Sequence, residues 1–159
     1  MPSTTRETLV RRAARASYRA FAGKRRSITS GRVDLAGVRA PVRIARDAHG
    51  IPFIEASHEI DAWFGLGFCQ GQDRALQLEI LARTARGTLA EAVGKDGVAV
   101  DRLSRRLGVR RAATAQLALA RPEVKAQLDA YARGIAEGAT RGMLHKSGDL
   151  ALLGVEPTA

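Results

Sequence analysis

The sequence predicts an α+β fold, mostly helical with one short β-hairpin, and three observations carry that prediction. Two brief extended runs flank a His49-Gly50 turn. Apolar residues then recur at helical spacing across residues 59–86, and Pro122 opens a further apolar stripe that steps by four, three and four residues. At 159 residues and 17.0 kDa the chain is sized for one domain or for part of a larger one. Its hydrophobic share is 45%, but only seven residues are aromatic and much of the rest is alanine, so the core is expected to be thin.

The formal net charge of +10 is not spread evenly. Residues 1–39 hold ten Lys/Arg against Glu7 and Asp34, whereas residues 40–159 hold 16 basic against 14 acidic side chains. Within RETLVRRAARASYRAFAGKRR, Leu9, Val10, Ala13, Ala14, Tyr18 and Phe21 fall roughly on one stripe with arginines between them, a weakly amphipathic helical pattern. A solvated leader is the favoured reading of such a run; contact with an anionic membrane surface or with nucleic acid are the functional readings. SITSGR, residues 27–32, is small and polar, so residues 1–32 are read as a basic arm and residues 33–159 as the domain region. The first forty residues lack the apolar run of about 7 to 15 that an export signal needs, and no stretch approaches the roughly 20 apolar residues of a membrane span. With the single Cys69, which forbids an internal disulfide, this predicts a cytoplasmic, reducing location.

In APVRIARDAHGIPFIEA, Val42, Ile44 and Arg46 alternate with Arg43 and Ala45, and Ile51, Phe53 and Ile54 form the second run. Pro52 lacks an amide hydrogen and therefore favours a strand start or an edge. Ile60, Trp63, Phe64, Gly67, Phe68, Gly71, Ala75, Leu78 and Ala82 then mark one face of a long helix. Gly87 and Gly94 punctuate the chain around TLAEAV, GKDG makes a turn, and VDRLSRRLGVRRAATAQLALA reads as helix interrupted at Gly108. Pro122 suits a first helical position, with Val124, Leu128, Tyr131 and Ile135 as the apolar stripe of the last helix.

GLGFCQGQDR, residues 65–74, sets three glycines inside an otherwise helical stretch, at a cost of about 1 kcal/mol each relative to alanine. Gly65, Gly67 and Gly71 approximate a dinucleotide fingerprint, with Glu91 twenty residues past Gly71, but such a fingerprint follows an apolar strand, and SHEIDAWF is polar with helical periodicity. The steric account is favoured: Gly67 and Gly71 lie four apart on one face, where another backbone or a sheet can approach closely, a surface expected from a partner rather than from this polypeptide. Gln72, Asp73 and Arg74 then supply groups able to satisfy backbone left unpaired at a helix junction.

The reactive side chains have unreactive readings. His49, His58 and His145 show no i, i+4 metal spacing, and His49 suits a turn. Cys69 reads as a small buried thiol. Asp47 and Asp73 are an acid/base pair on paper, but ion pairing or capping with Arg46, Arg74 or Arg83 is preferred.

PVRIARDAHGIPFIEA, then DAWFGLGFCQGQDRALQLE, then RTARGTLAEAVGKDG resemble the consecutive amino-terminal blocks of the penicillin acylase (penicillin amidase) family. There an R-D-x-x-G-[VI]-P-x-I-x-A block precedes G-[YF]-x-x-[AG]-Q-D-R and then R-x-x-x-G-x-[LV]-A-E-x-x-G. The resemblance runs from about Gly37 to Asp101 and more weakly through LLGVEP at residues 152–157. Phe53 stands where histidine is common and Gly71 where alanine is usual, neither position being expected to do chemistry.

The resemblance implies part of an αββα amino-terminal-nucleophile hydrolase, cut by itself from a precursor into a small α chain and a larger β chain. The serine exposed at the start of the β chain attacks an amide carbonyl with its own α-amine as base, and substrates are N-acyl compounds such as β-lactam side-chain amides or acyl-homoserine lactones. No serine here (Ser3, Ser17, Ser27, Ser30, Ser57, Ser104, Ser147) opens the S-N-x-W type of segment that begins that β chain, so no catalytic, cofactor-binding or metal-binding residue is assigned. Ser147 in HKSGDL reads as a loop serine. The resemblance places the acyl-pocket helix and the carboxylate of a structural calcium later in the α chain, so this is read as a truncated α region without a cofactor of its own. Its expected partners are the β chain and a small N-acyl substrate, with no nucleic acid. Apolar helix faces that would pack on a sheet supplied largely by the partner predict an aggregation-prone, inactive chain in isolation. Two other classes stay open: a non-catalytic helical partner protein, and a nucleic-acid-binding module using the basic arm.

Overall fold

The computed structural model describes residues 28–142. Residues 1–27 of the arm expected over residues 1–32, together with His145, Ser147 and LLGVEP, lie outside the described residues. Strands Arg43–Arg46 (β1) and Pro52–Glu55 (β2) pair antiparallel, Ile44 opposite Ile54 and Arg46 opposite Pro52. Pro52 opens its strand, where a missing donor costs least. The two-residue period turns Ile44, Arg46, Pro52 and Ile54 towards the protein and leaves Phe53 59% exposed on the other face.

Helix Glu59–Arg86 (α1) follows, with Glu59 and Asp61 in its first turn and Arg83 and Arg86 in its last, the charge order that its dipole favours. It is kinked at Arg74, whose φ of −135° and ψ of 21° are not helical. It stops at Gly87, which takes φ 73° while the Gly87 and Thr88 amides close on the Thr84 and Arg83 carbonyls. A short helix Ala90–Val93 (α2) and a 3-10 turn Gly94–Gly97 lead into Val98–Leu107 (α3), which Gly108 separates from Val109–Leu119 (α4). Pro122–Thr140 (α5) starts on its proline, as expected. The result is a mostly helical α+β unit with one hairpin.

The main packing event is α1 against α5. A Cβ on Gly67 would overlap the Tyr131 carbonyl oxygen and one on Gly71 the Ile135 carbonyl oxygen; in return, Gly134 faces the Phe64 carbonyl and Gly138 the Phe68 carbonyl. Each helix thus presents glycines four apart, and the two backbones meet where side chains would otherwise hold them apart. Gly65 faces elsewhere: its missing Cβ makes room for Ile54 and Val42 of the hairpin region. The close approach expected at Gly67 and Gly71 is therefore present, but the sequence reading looked to a partner for the facing surface, and the structure corrects that. The neighbour is α5 of the same chain. Gly134 and Gly138 were the overlooked half of the pair.

The core is small, comprising Phe64, Phe68, Cys69, Ala75, Ala130 and Ala139. On α5 the buried line runs through Ala130, Gly134, Gly138 and Ala139, beside the expected stripe rather than along it, and Leu128 is 47% exposed. Seams built on backbone contact pull the smallest residues inward and turn leucine to the rim. In contrast, α3 buries only Asp101 and Ser104, and no residue of α4 is buried.

Candidate functional site

The residues of the first two sequence blocks converge on Arg46. Its guanidinium, carried at the end of β1, makes a two-pronged ion pair with Asp73 (Nη1 to Oδ2 2.9 Å, Nη2 to Oδ1 3.1 Å). It also donates to Gln72 Oε1 at 2.7 Å and to the Gly50 carbonyl at 2.9 Å. A planar five-donor fork suits this task, because one side chain ties the hairpin turn to the middle of α1. Gln72, itself buried, passes the link onward: its Nε2 donates to the carbonyls of Ile28 (2.9 Å) and Gly142 (2.6 Å). The Ile28 amide also donates to Gly142 O at 3.0 Å. Gln72 thus satisfies backbone where two distant segments meet, as expected, whereas Arg74 is exposed and donates to Gln77 Oε1 at 3.1 Å.

Asp47 and Asp73 are not an acid/base pair. Asp47 Oδ1 accepts from the His49 and Ile51 amides at 2.9 and 2.8 Å and shapes the hairpin turn. Asp73 belongs to Arg46. Both aspartates are thus engaged in structure. The third block is held similarly: Arg83 pairs with Glu79 (2.7 Å) and with Glu91 (3.0 Å), and Arg105 Nε donates to the Gly87 carbonyl at 2.9 Å. Glu91, the acid at fingerprint spacing, is therefore a partner of Arg83, and Gly65, Gly67 and Gly71 lie within α1 rather than in a phosphate-binding loop.

Besides Glu79, two buried carboxylates that hold backbone amides escaped the sequence reading. Asp61 accepts from the Arg39 and Ala40 amides, both at 3.0 Å, and Asp101 from the Leu89 and Ala90 amides at 2.7 and 2.9 Å. Each uses both oxygens to hold two consecutive N–H groups, which is how a carboxylate can be 1% or 6% exposed without a cationic partner. The signal was weak, since neither aspartate lies close in sequence to the amides it holds.

The nucleophile types are quiet. Cys69 is 1% exposed, and burial pushes its thiol up; the Arg46 guanidinium pulls the other way and the Asp73 carboxylate adds to the rise. Ser104 is buried, Ser30 and Ser57 are exposed, and His49 and His58 are exposed in the hairpin turn and before α1. Tyr131 donates its hydroxyl to Gln70 Oε1 and meets Trp63 edge-on at 6.4 Å; burial pushes its phenol up. Among the described residues no three His, Cys, Asp or Glu side chains come together as metal ligands, and no helix is long and apolar enough to cross a membrane. A cleft of about 630 Å³ opens between residues 28–44 and the Phe64, Phe68 and Gln72 side of α1. Its polar atoms from Arg46 and Gln72 are already hydrogen-bonded. Chemically, Arg46, Gln72 and Asp73 are engaged with one another and with backbone, so they act as scaffold.

The chain is 39% identical over 132 residues to the penicillin acylase 2 proenzyme of a Pseudomonas species, covering 80% of this chain and 16% of that protein. It is 38% identical over 107 residues to an acyl-homoserine lactone acylase of Pseudomonas putida (67% and 13%), and 38% identical over 94 residues to penicillin G acylase of Escherichia coli (59% and 11%). The chain therefore spans about a sixth or less of these relatives. A thermostable penicillin G acylase from Alcaligenes faecalis shares the fold, with a TM-score of 0.62 at 24% identity over 74% of this chain and 64% of that one. The penicillin amidase family model matches residues 41–159, which takes in the Arg46 hub, the paired glycine helices and all three sequence blocks: the chain belongs to the penicillin amidase family.

Proposed function

We propose that this chain is the α-chain portion of a penicillin acylase-like amidohydrolase, which cleaves N-acyl amide bonds through an acyl-enzyme formed on a serine at the amino terminus of a separate β chain. The observation that carries this reading is the family match over residues 41–159 to a part of the molecule whose polar groups are committed to holding the fold. Coverage adds support: a match over 80% of this chain fills only 16% of the proenzyme, whereas a match over 74% of it fills 64% of the solved chain, so that solved chain is several times shorter than the proenzyme, as a processed α chain would be. In the proposed enzyme the serine hydroxyl attacks the amide carbonyl, its own α-amine takes the proton, fixed donors hold the oxyanion, and water releases the acyl group. The natural acyl group is of the β-lactam side-chain or acyl-homoserine lactone kind, and any structural calcium draws its ligands from outside residues 28–142.

The test combines the 159-residue chain with the rest of the proposed enzyme, the later α-chain segment and the serine-led polypeptide, and follows release of a chromogenic amine from an N-acyl anilide. Turnover is expected from the combination, none from this chain alone, and none when the leading serine is replaced by alanine. Because an α-amine titrates near 7.7 to 8.0, kcat/KM should rise with pH and level off above about 8. Turnover by the 159-residue chain alone would overturn the proposal.

A further inference from the structure

Helix α3 is tied to the fold through Asp101 and Arg105, but α4 has no evident role within the described fold. All eleven residues of α4 are exposed, and Leu103, Leu107, Leu117 and Leu119 are 57%, 68%, 46% and 87% exposed. An isolated eleven-residue helix is marginal in water, so its apolar groups call for cover. The charge around them has one sign. Residues 98–121 contain six arginines and a single acid, Asp101, which is buried and bonded to backbone amides.

We infer that α3–α4 is the surface on which the nucleophile-bearing chain docks, and that it enters an apolar groove of that chain rimmed by carboxylates. The inference rests on the function proposed above. Three observations select this occupant over others. Leu117 and Leu119 are two residues apart, about 200° around the helix, so α4 exposes leucine on nearly opposite sides. A lipid surface covers one face of a helix, whereas a groove in a protein covers several. A second copy of this chain packed α4 against α4 would bring Arg110 and Arg111 against their own kind, with no acid within α4 to pair with them. Finally, a penicillin acylase proenzyme extends over roughly six times the length matched here, which supplies the protein mass that a groove needs.

The test measures amide hydrogen exchange of the 159-residue chain alone and with the serine-led polypeptide, and then measures association for three variants. Residues 109–119 should exchange freely in the isolated chain and become at least tenfold protected in the complex. Leu117→Asp with Leu119→Asp should weaken association at least tenfold, and Arg110→Glu with Arg111→Glu should weaken it and flatten its dependence on salt. Leu81→Asp, at a site 65% exposed on α1, should change association less than twofold. Circular dichroism checks that each variant retains its helix content.

A complex that forms with 109–119 still unprotected overturns the inference while leaving the proposed activity standing. Protection of 109–119 without amide turnover supports the docking surface and counts against the activity. Protection by phosphatidylglycerol vesicles in place of the polypeptide, or a concentration-dependent dimer lost in the leucine variant, assigns the face to lipid or to self-association and overturns the inference.

Discussion

The α1–α5 seam and the α3–α4 pair are both rich in small residues, yet only the seam is buried. Along the seam, Gly67 and Gly71 find Gly134 and Gly138 at the same four-residue interval, and every missing Cβ is matched by a carbonyl of the other helix. In α4, Ala112, Ala113, Ala115 and Ala118 meet no such counterpart and lie exposed. Small residues therefore do not generate packing by themselves; they permit it where a second helix repeats their spacing. Four glycines in helix interiors cost about 4 kcal/mol relative to alanine, and only close backbone contact over the whole seam offsets that.

The most direct way to break the contrast is Gly71→Val. The added atoms would fall on the Ile135 carbonyl and force the helices apart. Urea denaturation should show a loss of roughly 3 kcal/mol or more, the upper range for overpacking, and loss of the cooperative transition is an acceptable outcome of the same kind. A loss below about 1 kcal/mol would mean that the seam is loose.

Next in size is Asp101→Ala, which acts where the two regions join. It strands the Leu89 and Ala90 amides and should cost about 2 to 3 kcal/mol by thermal or chemical denaturation. Asp61→Ala, which frees the Arg39 and Ala40 amides on the seam side, should cost a similar amount. Unequal losses would rank the two regions by how firmly each is held.

A smaller effect sharpens the account of the seam through pH. Burial raises the Cys69 thiol, so the folded chain keeps that proton at a pH where the unfolded chain has released it. The contribution is fully present below the ordinary thiol value of about 8.5 and declines as pH rises above it. Cys69→Ala should flatten the stability profile above about pH 8.5. Tyr131, raised by burial in the same sense, adds a decline only at higher pH. The smallest effect is expected at Leu119→Ser in the isolated chain, within about 0.5 kcal/mol, because nothing covers that side chain.

Much of this architecture was legible in the sequence because its signals are local. The His49-Gly50 turn, the long apolar period of α1, the stops at Gly87 and Gly108 and the start at Pro122 each act within a few residues. The ion pair of Arg46 with Asp73 was foreseen only as a preference among arginines, since 27 residues separate the partners and fold geometry alone chooses between them. Asp61 and Asp101 were missed because a carboxylate serving backbone amides looks in sequence like any solvated acid. The buried line of α5 was misplaced for a related reason: hydropathy favours Leu128, whereas backbone contact rewards Gly134 and Gly138. Family membership was legible from three ordered blocks, and the structure shows why the blocks go together: two meet at the Arg46 hub and the third is tied back to α1 by Arg83.

Gln72 grips Ile28 and Gly142 with one amide group, and those residues also hydrogen-bond to each other across 3.0 Å. The two ends of the described segment touch, so residues 28–142 nearly form a closed ring. Residue 142 could be spliced to residue 28 through a few glycines and the loop between α4 and α5 cut open, giving a permuted molecule with the same interior and a freely swinging α4. Such a rearrangement would show whether the order in which helices leave the ribosome matters to this fold, or only their final neighbours.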